Sequence, residues 1–135
     1  MQLNSLREIQ ALVEAKYEVR RQAFQNLVKR ENELRSEIRR IDEQAAGANA
    51  RSDTEMQSIG ADVIWKSWVG KAKLSLNRKL ALVLAEKEQH IRQVKQAYGK
   101  VVAAEKLVDD LSAQERKSQE VQRLSAALDM SLDKR

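Results

Sequence analysis

The sequence has no cysteine and no proline, four glycines, a single histidine and five aromatic residues in a total of 135. Without cysteine there is no disulfide frame and no thiolate to attack a substrate or hold a metal. That suits a reducing compartment. Without proline, and with glycine only at Gly47, Gly60, Gly70 and Gly99, the usual helix interruptions are missing. The five aromatics (Tyr17, Phe24, Trp65, Trp68 and Tyr98) are too few for a bulky globular core, and they fit a narrow apolar seam between helices better. The longest apolar run, Leu80 to Ala85, falls far short of the ~18 residues needed to cross a bilayer. Met1 to Glu8 leads directly into a periodic pattern with no charged-then-apolar leader. These features predict a soluble cytoplasmic protein.

Strong helix formers dominate what is present: Ala, Leu, Glu, Lys, Arg and Gln. Residues Leu6, Gln10, Val13, Tyr17, Arg20, Phe24, Leu27, Glu31, Leu34, Ile38, Ile41 and Ala45 recur at alternating spacings of four and three. That spacing lines one stripe of a helix. Ile9, Leu12, Val19 and Val28 widen the stripe. Arg20 and Glu31 interrupt it, and their long stems can cross the seam while the charge stays wet. A second seam runs Val69, Lys73, Leu76, Leu80, Val83, Lys87, His90, Val94, Ala97, Val101, Ala104, Val108 and Leu111. It then slips by three residues and resumes at Val121, Leu124 and Leu128, a slip that locally overwinds a supercoil. Two such seams predict an all-α fold, a long antiparallel two-helix coiled-coil hairpin forming a single domain over 1–135. After Leu128 the tail is expected to fray.

The turn has two candidate positions in the small, polar stretch from Ala45 to Gly60. Gly47 could end the first helix, with Ser52 and Glu55 at capping-box spacing for a new start. Alternatively Gly60 marks the turn and Asp62 caps the second helix. Arm length favours the latter, because helices over about 3–57 and 62–128 would pair along nearly their full length. Pairs such as Glu31–Arg35 and Glu88–Arg92 would add about 0.2–0.5 kcal/mol each.

Charge is uneven. Residues 1–60 balance, whereas residues 65–100 carry nine cations (Lys66, Lys71, Lys73, Arg78, Lys79, Lys87, Arg92, Lys95, Lys100) against Glu86 and Glu88. This segment is either a docking surface for an acidic protein or nucleic acid, or a solvated helix face.

Nothing in the sequence assembles a catalytic site. His90 stands in a seam with no second histidine to share a metal, and no nucleophile–base pair or glycine-rich phosphate loop is present. A seam position suits a polar residue that specifies register. The sequence therefore predicts no enzyme, no cofactor and no metal. The distinctive segment is Asp62 to Ala85, DVIWKSWVGKAKLSLNRKLALVLA. Trp65 and Trp68 lie three apart on one face with Val69 and Ala72, while Leu74, Leu82 and Leu84 fall off the seam. A helix with one partner should be polar on its back. Either this end presents a Trp-anchored surface to another protein, or the tryptophans cap the hairpin tip and the extra leucines meet a second copy.

With WKSWVGKAKLSLNRKLALVLAEKE and the later AYGKVVAAEKLVDD, most of the chain resembles the flagellar type III export protein FliJ and its injectisome counterpart YscO. The resemblance implies a coiled-coil hairpin similar to the central stalk of rotary ATPases. The free helix ends would enter the hole of the hexameric export ATPase, and the distal part would contact the export gate protein in the inner membrane. Export chaperones are further implied partners. The expected location is cytoplasmic and peripheral to the inner-membrane export apparatus. By this resemblance the ring-facing part is Leu3 to Val19 with Leu107 to Leu128, including Leu6, Val13, Leu111, Val121 and Leu124. The gate-facing stripe is Trp65, Val69 and Ala72, with Trp68 beside it. The next position of that stripe, a histidine in some members, is Leu76 here. Two other readings compete: a basic helical hairpin that binds nucleic acid, whose affinity would fall steeply with salt, and a coiled-coil adaptor that self-associates.

Overall fold

The computed structural model describes residues 2–51 and 60–133. They form two α-helices, α1 (Leu3–Arg51) and α2 (Ala61–Asp133), with no strand among the described residues. The fold is the expected all-α helical hairpin, and its residues group into two compact units.

The first unit comprises Arg21–Gln93. Here Leu34 is completely enclosed and Leu76 is buried. Phe24, Leu27, Ile38, Ile41 and Ala45 of α1, and Val69, Leu80 and Val83 of α2, are half-buried around them. The apolar positions of both four-and-three patterns thus turn inward, because an amphipathic helix gains most by removing its apolar stripe from water. Two cross-helix ion pairs fix the direction of pairing. Lys87 Nζ lies 2.6 Å from Glu31 Oε1, and Lys73 Nζ lies 2.6 Å from Asp42 Oδ1. As numbering rises along α1 it falls along α2, so the helices are antiparallel.

The second unit comprises Met1–Arg20 and Val94–Arg135. Leu6, Val101, Ala104 and Val108 are its buried apolar residues. Tyr17 and Tyr98 pack with ring centroids 5.5 Å apart and planes tilted by 51°, a geometry that favours edge-to-face contact between aromatic quadrupoles. Burial on α2 stops at Ala113, and every described side chain from Gln114 onward is exposed. The reason is register. Counting fourteen residues back from Tyr17 reaches Leu3, the first residue of α1; counting fourteen forward from Tyr98 reaches Ser112. Beyond that point no turn of α1 lies opposite α2.

Several expectations are corrected. The arms do not pair along nearly their full length: the resumed stripe Val121, Leu124 and Leu128 is exposed and has no covering helix among the described residues. The second helix extends to Asp133, past the expected bound near residue 128. Of the two candidate turns, the less favoured one fails, since α1 runs through Gly47 to Arg51, whereas the favoured one, Gly60, stands directly before α2. Asp62 is not the N-cap. That position belongs to Gly60, whose carbonyl accepts hydrogen bonds from the backbone N–H of Val63 and Ile64, both at 3.2 Å. Gly60 has φ +74°, in the left-handed region where a Cβ is penalised. Asp62 instead sits in the first turn, where its negative charge complements the exposed N–H groups. The proposed cap at Ser52 and the expected end of the first helix near residue 57 lie outside the described residues.

Candidate partner-binding site

The start of α2, within the Arg21–Gln93 unit, brings Trp65 and Trp68 together. Their rings stack with centroids 5.2 Å apart and planes 20° from parallel. Trp65, Val69 and Ala72 are half-buried along the seam side, whereas Trp68 is 50% exposed. Three apolar neighbours expected from the sequence to lie off the seam do so: Leu74 at 52%, Leu82 at 67% and Leu84 at 38% exposed. Val63 and Ile64 join this outer surface, and Ile64 is the most open of all at 73%. The four-residue step from Ile64 to Trp68 was the signal that could have placed Ile64 there. Helical positions Ile64, Trp68, Lys71, Ser75, Arg78, Leu82 and Ala85 again alternate by four and three, but on the side away from the seam.

Charge on this part of α2 is one-sided. Between Val63 and Ala85 there are five cations and no carboxylate. Lys73 is committed to Asp42, whereas Lys66, Lys71, Arg78 and Lys79 have no ion pair among the described residues.

Further along, the seam contains a carboxylate. Glu31 is buried to 9% exposure. Lys87 Nζ donates to its Oε1 at 2.6 Å and Arg35 Nε donates to its Oε2 at 2.8 Å. The Lys87 ammonium first, and the Arg35 guanidinium second, hold the Glu31 carboxyl below its ordinary range, against the opposing effect of burial. Glu31 does not keep its charge in water as its long stem would have allowed. The expected Glu31–Arg35 pair is present, whereas Glu88 and Arg92 make no ion pair among the described residues. His90 occupies its seam position with Nδ1 enclosed and unbonded, and the Trp65 indole Nε1 is likewise enclosed without an acceptor among the described residues. No cluster of three or more metal-ligating side chains occurs among the described residues. A shallow open depression lies along α1 between Gln25 and Arg40; its mixed polar lining converges on no reactive group.

In the other unit, Leu6 is buried and Val13 and Leu111 are half-buried in the seam. Their apolar surface is already spent on the helix pair. Val121 and Leu124 are 64% and 61% exposed. With Leu128 and Leu132 they form an apolar stripe on the unpaired end of α2, a segment roughly 30 Å long at 1.5 Å per residue. The five residues expected to face a ring are therefore divided: three hold the hairpin closed and two are presented outward.

No family model, curated protein or solved structure matches the chain. No helix among the described residues is long and apolar enough to cross a membrane.

Proposed function

We propose that this chain is a non-enzymatic, stalk-like component of a type III (flagellar) protein export apparatus, acting by binding the hexameric export ATPase ring and the export gate. The observation that carries the reading is the unpaired end of α2. There a single helix offers Val121, Leu124 and Leu128 to a partner while the adjoining Leu6, Val101, Ala104 and Val108 keep the two helices together. Exposed apolar residues at helical spacing suit insertion into an apolar-lined opening, because their burial is favourable and they contribute nothing to the hairpin itself. The stacked Trp65–Trp68 pair in the other unit supplies a second, aromatic contact surface, which this reading gives to the gate. The chain then works in the cytoplasm beside the inner-membrane apparatus, alters ring assembly or turnover by contact, and hydrolyses nothing. Export chaperones are additional proposed partners.

The test is to add the purified chain to an export ATPase and follow ring assembly and ATP turnover. Stimulation is expected, with loss of at least about tenfold in apparent affinity for Val121→Ser/Leu124→Ser, the loss expected from removing two buried apolar contacts. Both positions are exposed and outside the paired part of the hairpin, so its melting midpoint should be unchanged. No effect of the unmodified chain on either assembly or turnover would overturn the reading.

A further inference from the structure

The outer face of α2 between Val63 and Ala85 has a composition that neither hairpin packing nor a solvated helix back explains. From it we infer that this face binds the surface of an anionic lipid bilayer. Two observations combine. The first is charge: Lys71, Arg78 and Lys79 carry no ion pair among the described residues, and no carboxylate interrupts the stretch. The second is apolar surface between those cations. Ile64, Trp68, Leu74 and Leu82 are each half or more exposed, and they share the outer side of the helix with Lys71 and Arg78.

A lipid surface answers both features. Anionic headgroups neutralise the cations, while apolar side chains reach the acyl boundary beneath them. Lysine and arginine stems lie along apolar surface and lift their charges to the headgroups, and tryptophan favours that boundary layer. A nucleic acid backbone would match the cations alone and leave four large apolar side chains in water. A partner helix laid in a groove is also disfavoured. The face is the outer side of one helix, away from the seam, and its large apolar side chains alternate with cations instead of forming one apolar stripe. The feature is also local: from Glu86 onward carboxylates return to α2. This inference does not depend on the export reading: it gives Trp68 to the lipid and leaves the half-buried stripe Trp65, Val69 and Ala72 for the gate.

Trp65 and Trp68 are the only tryptophans in the chain, and since Trp68 lies on this face with the Trp65 ring stacked against it, their emission responds to its burial. The intact protein would be mixed with phosphatidylglycerol vesicles, with phosphatidylcholine vesicles and with a DNA duplex, at low and moderate salt. Expected are cosedimentation with phosphatidylglycerol vesicles, a blue shift of tryptophan emission, and little of either with phosphatidylcholine. Each cation near an anionic surface raises partitioning about fivefold. Lys71→Gln/Arg78→Gln should therefore lower it roughly twenty-five-fold. Leu74→Ser/Leu82→Ser should suppress the blue shift while circular dichroism stays unchanged, because both leucines are exposed. The inference is overturned by absence of phosphatidylglycerol binding at low salt, by binding without an emission shift, or by both double variants binding as well as the unmodified chain. Duplex binding without vesicle binding would overturn it in favour of nucleic acid.

Discussion

A carboxylate inside an apolar seam is tolerable only if both of its oxygens are occupied, because a buried charge without partners forfeits its hydration. Glu31 meets that condition through Lys87 on the opposite helix and Arg35 on its own. Since these cations lower its pKa in the folded state, its contribution to stability is complete above the unfolded value near 4.5 and is lost as pH falls through the lower folded value. Thermal unfolding of the unmodified chain should therefore show a falling midpoint as pH drops from about 5 towards 3. Glu31→Gln should start from a lower midpoint at pH 7 and show a shallower pH slope. An unchanged slope would mean that Glu31 is not the group responsible. The sequence placed both Glu31 and Lys87 on seams but could not join them, because their meeting depends on how two helices slide past each other and no local pattern encodes that. Arg35, one turn from Glu31, was legible because helical spacing alone brings it within reach.

At the scale of the element, two glycines should respond to the same substitution with opposite signs. Gly99 lies inside α2 with ordinary helical backbone, and a Cβ added there would meet nothing within 4 Å. Gly99→Ala should raise stability by about 0.5–1 kcal/mol, since alanine loses less backbone entropy on folding. Gly60 also has open space around it, but its φ of +74° opposes any side chain. Gly60→Ala should cost about 1 kcal/mol. Denaturant melts of the two variants, shifting in opposite directions, would check both. The unpaired end of α2 gives another prediction. Short helices without tertiary contacts are marginal in water, so amides of residues 114–133 should exchange hydrogen much faster than those of 94–113. Removing everything after Ala113 should leave the melting midpoint within a few degrees of its starting value, because no described side chain in that segment is buried. A large drop would show that the segment stabilises the fold in some other way. The sequence could not reveal this end. Val121, Leu124 and Leu128 have the spacing of a seam, and spacing marks an apolar face without saying whether anything covers it.

For the whole chain, fold class was the most legible property. Every position of the second seam from Val69 to Leu111 is buried or half-buried, and Arg20 is the one exposed position of the four-and-three seam on α1, but of the residues expected to widen that stripe Ile9, Leu12 and Val19 are exposed and Val28 alone is half-buried. That agreement follows from a long amphipathic pattern without proline, where one periodicity dominates every local preference. The candidate surfaces were less legible. Composition exposed the excess of leucine and lysine near Trp68, but the division of Leu6, Val13 and Leu111 from Val121 and Leu124 required the register of the pairing. The same division bears on self-association. Seam positions up to Leu111 are buried or half-buried within one chain, so a second copy is not needed to cover them. Unfolding should accordingly be intramolecular, with a melting midpoint that stays constant over about a hundredfold range of protein concentration. If copies paired through the exposed Val121–Leu128 stripe, mass action would raise the midpoint with concentration, and Val121→Ser/Leu124→Ser would remove that rise. A constant midpoint weighs against the self-associating adaptor and leaves the unpaired end of α2 available to a different molecule.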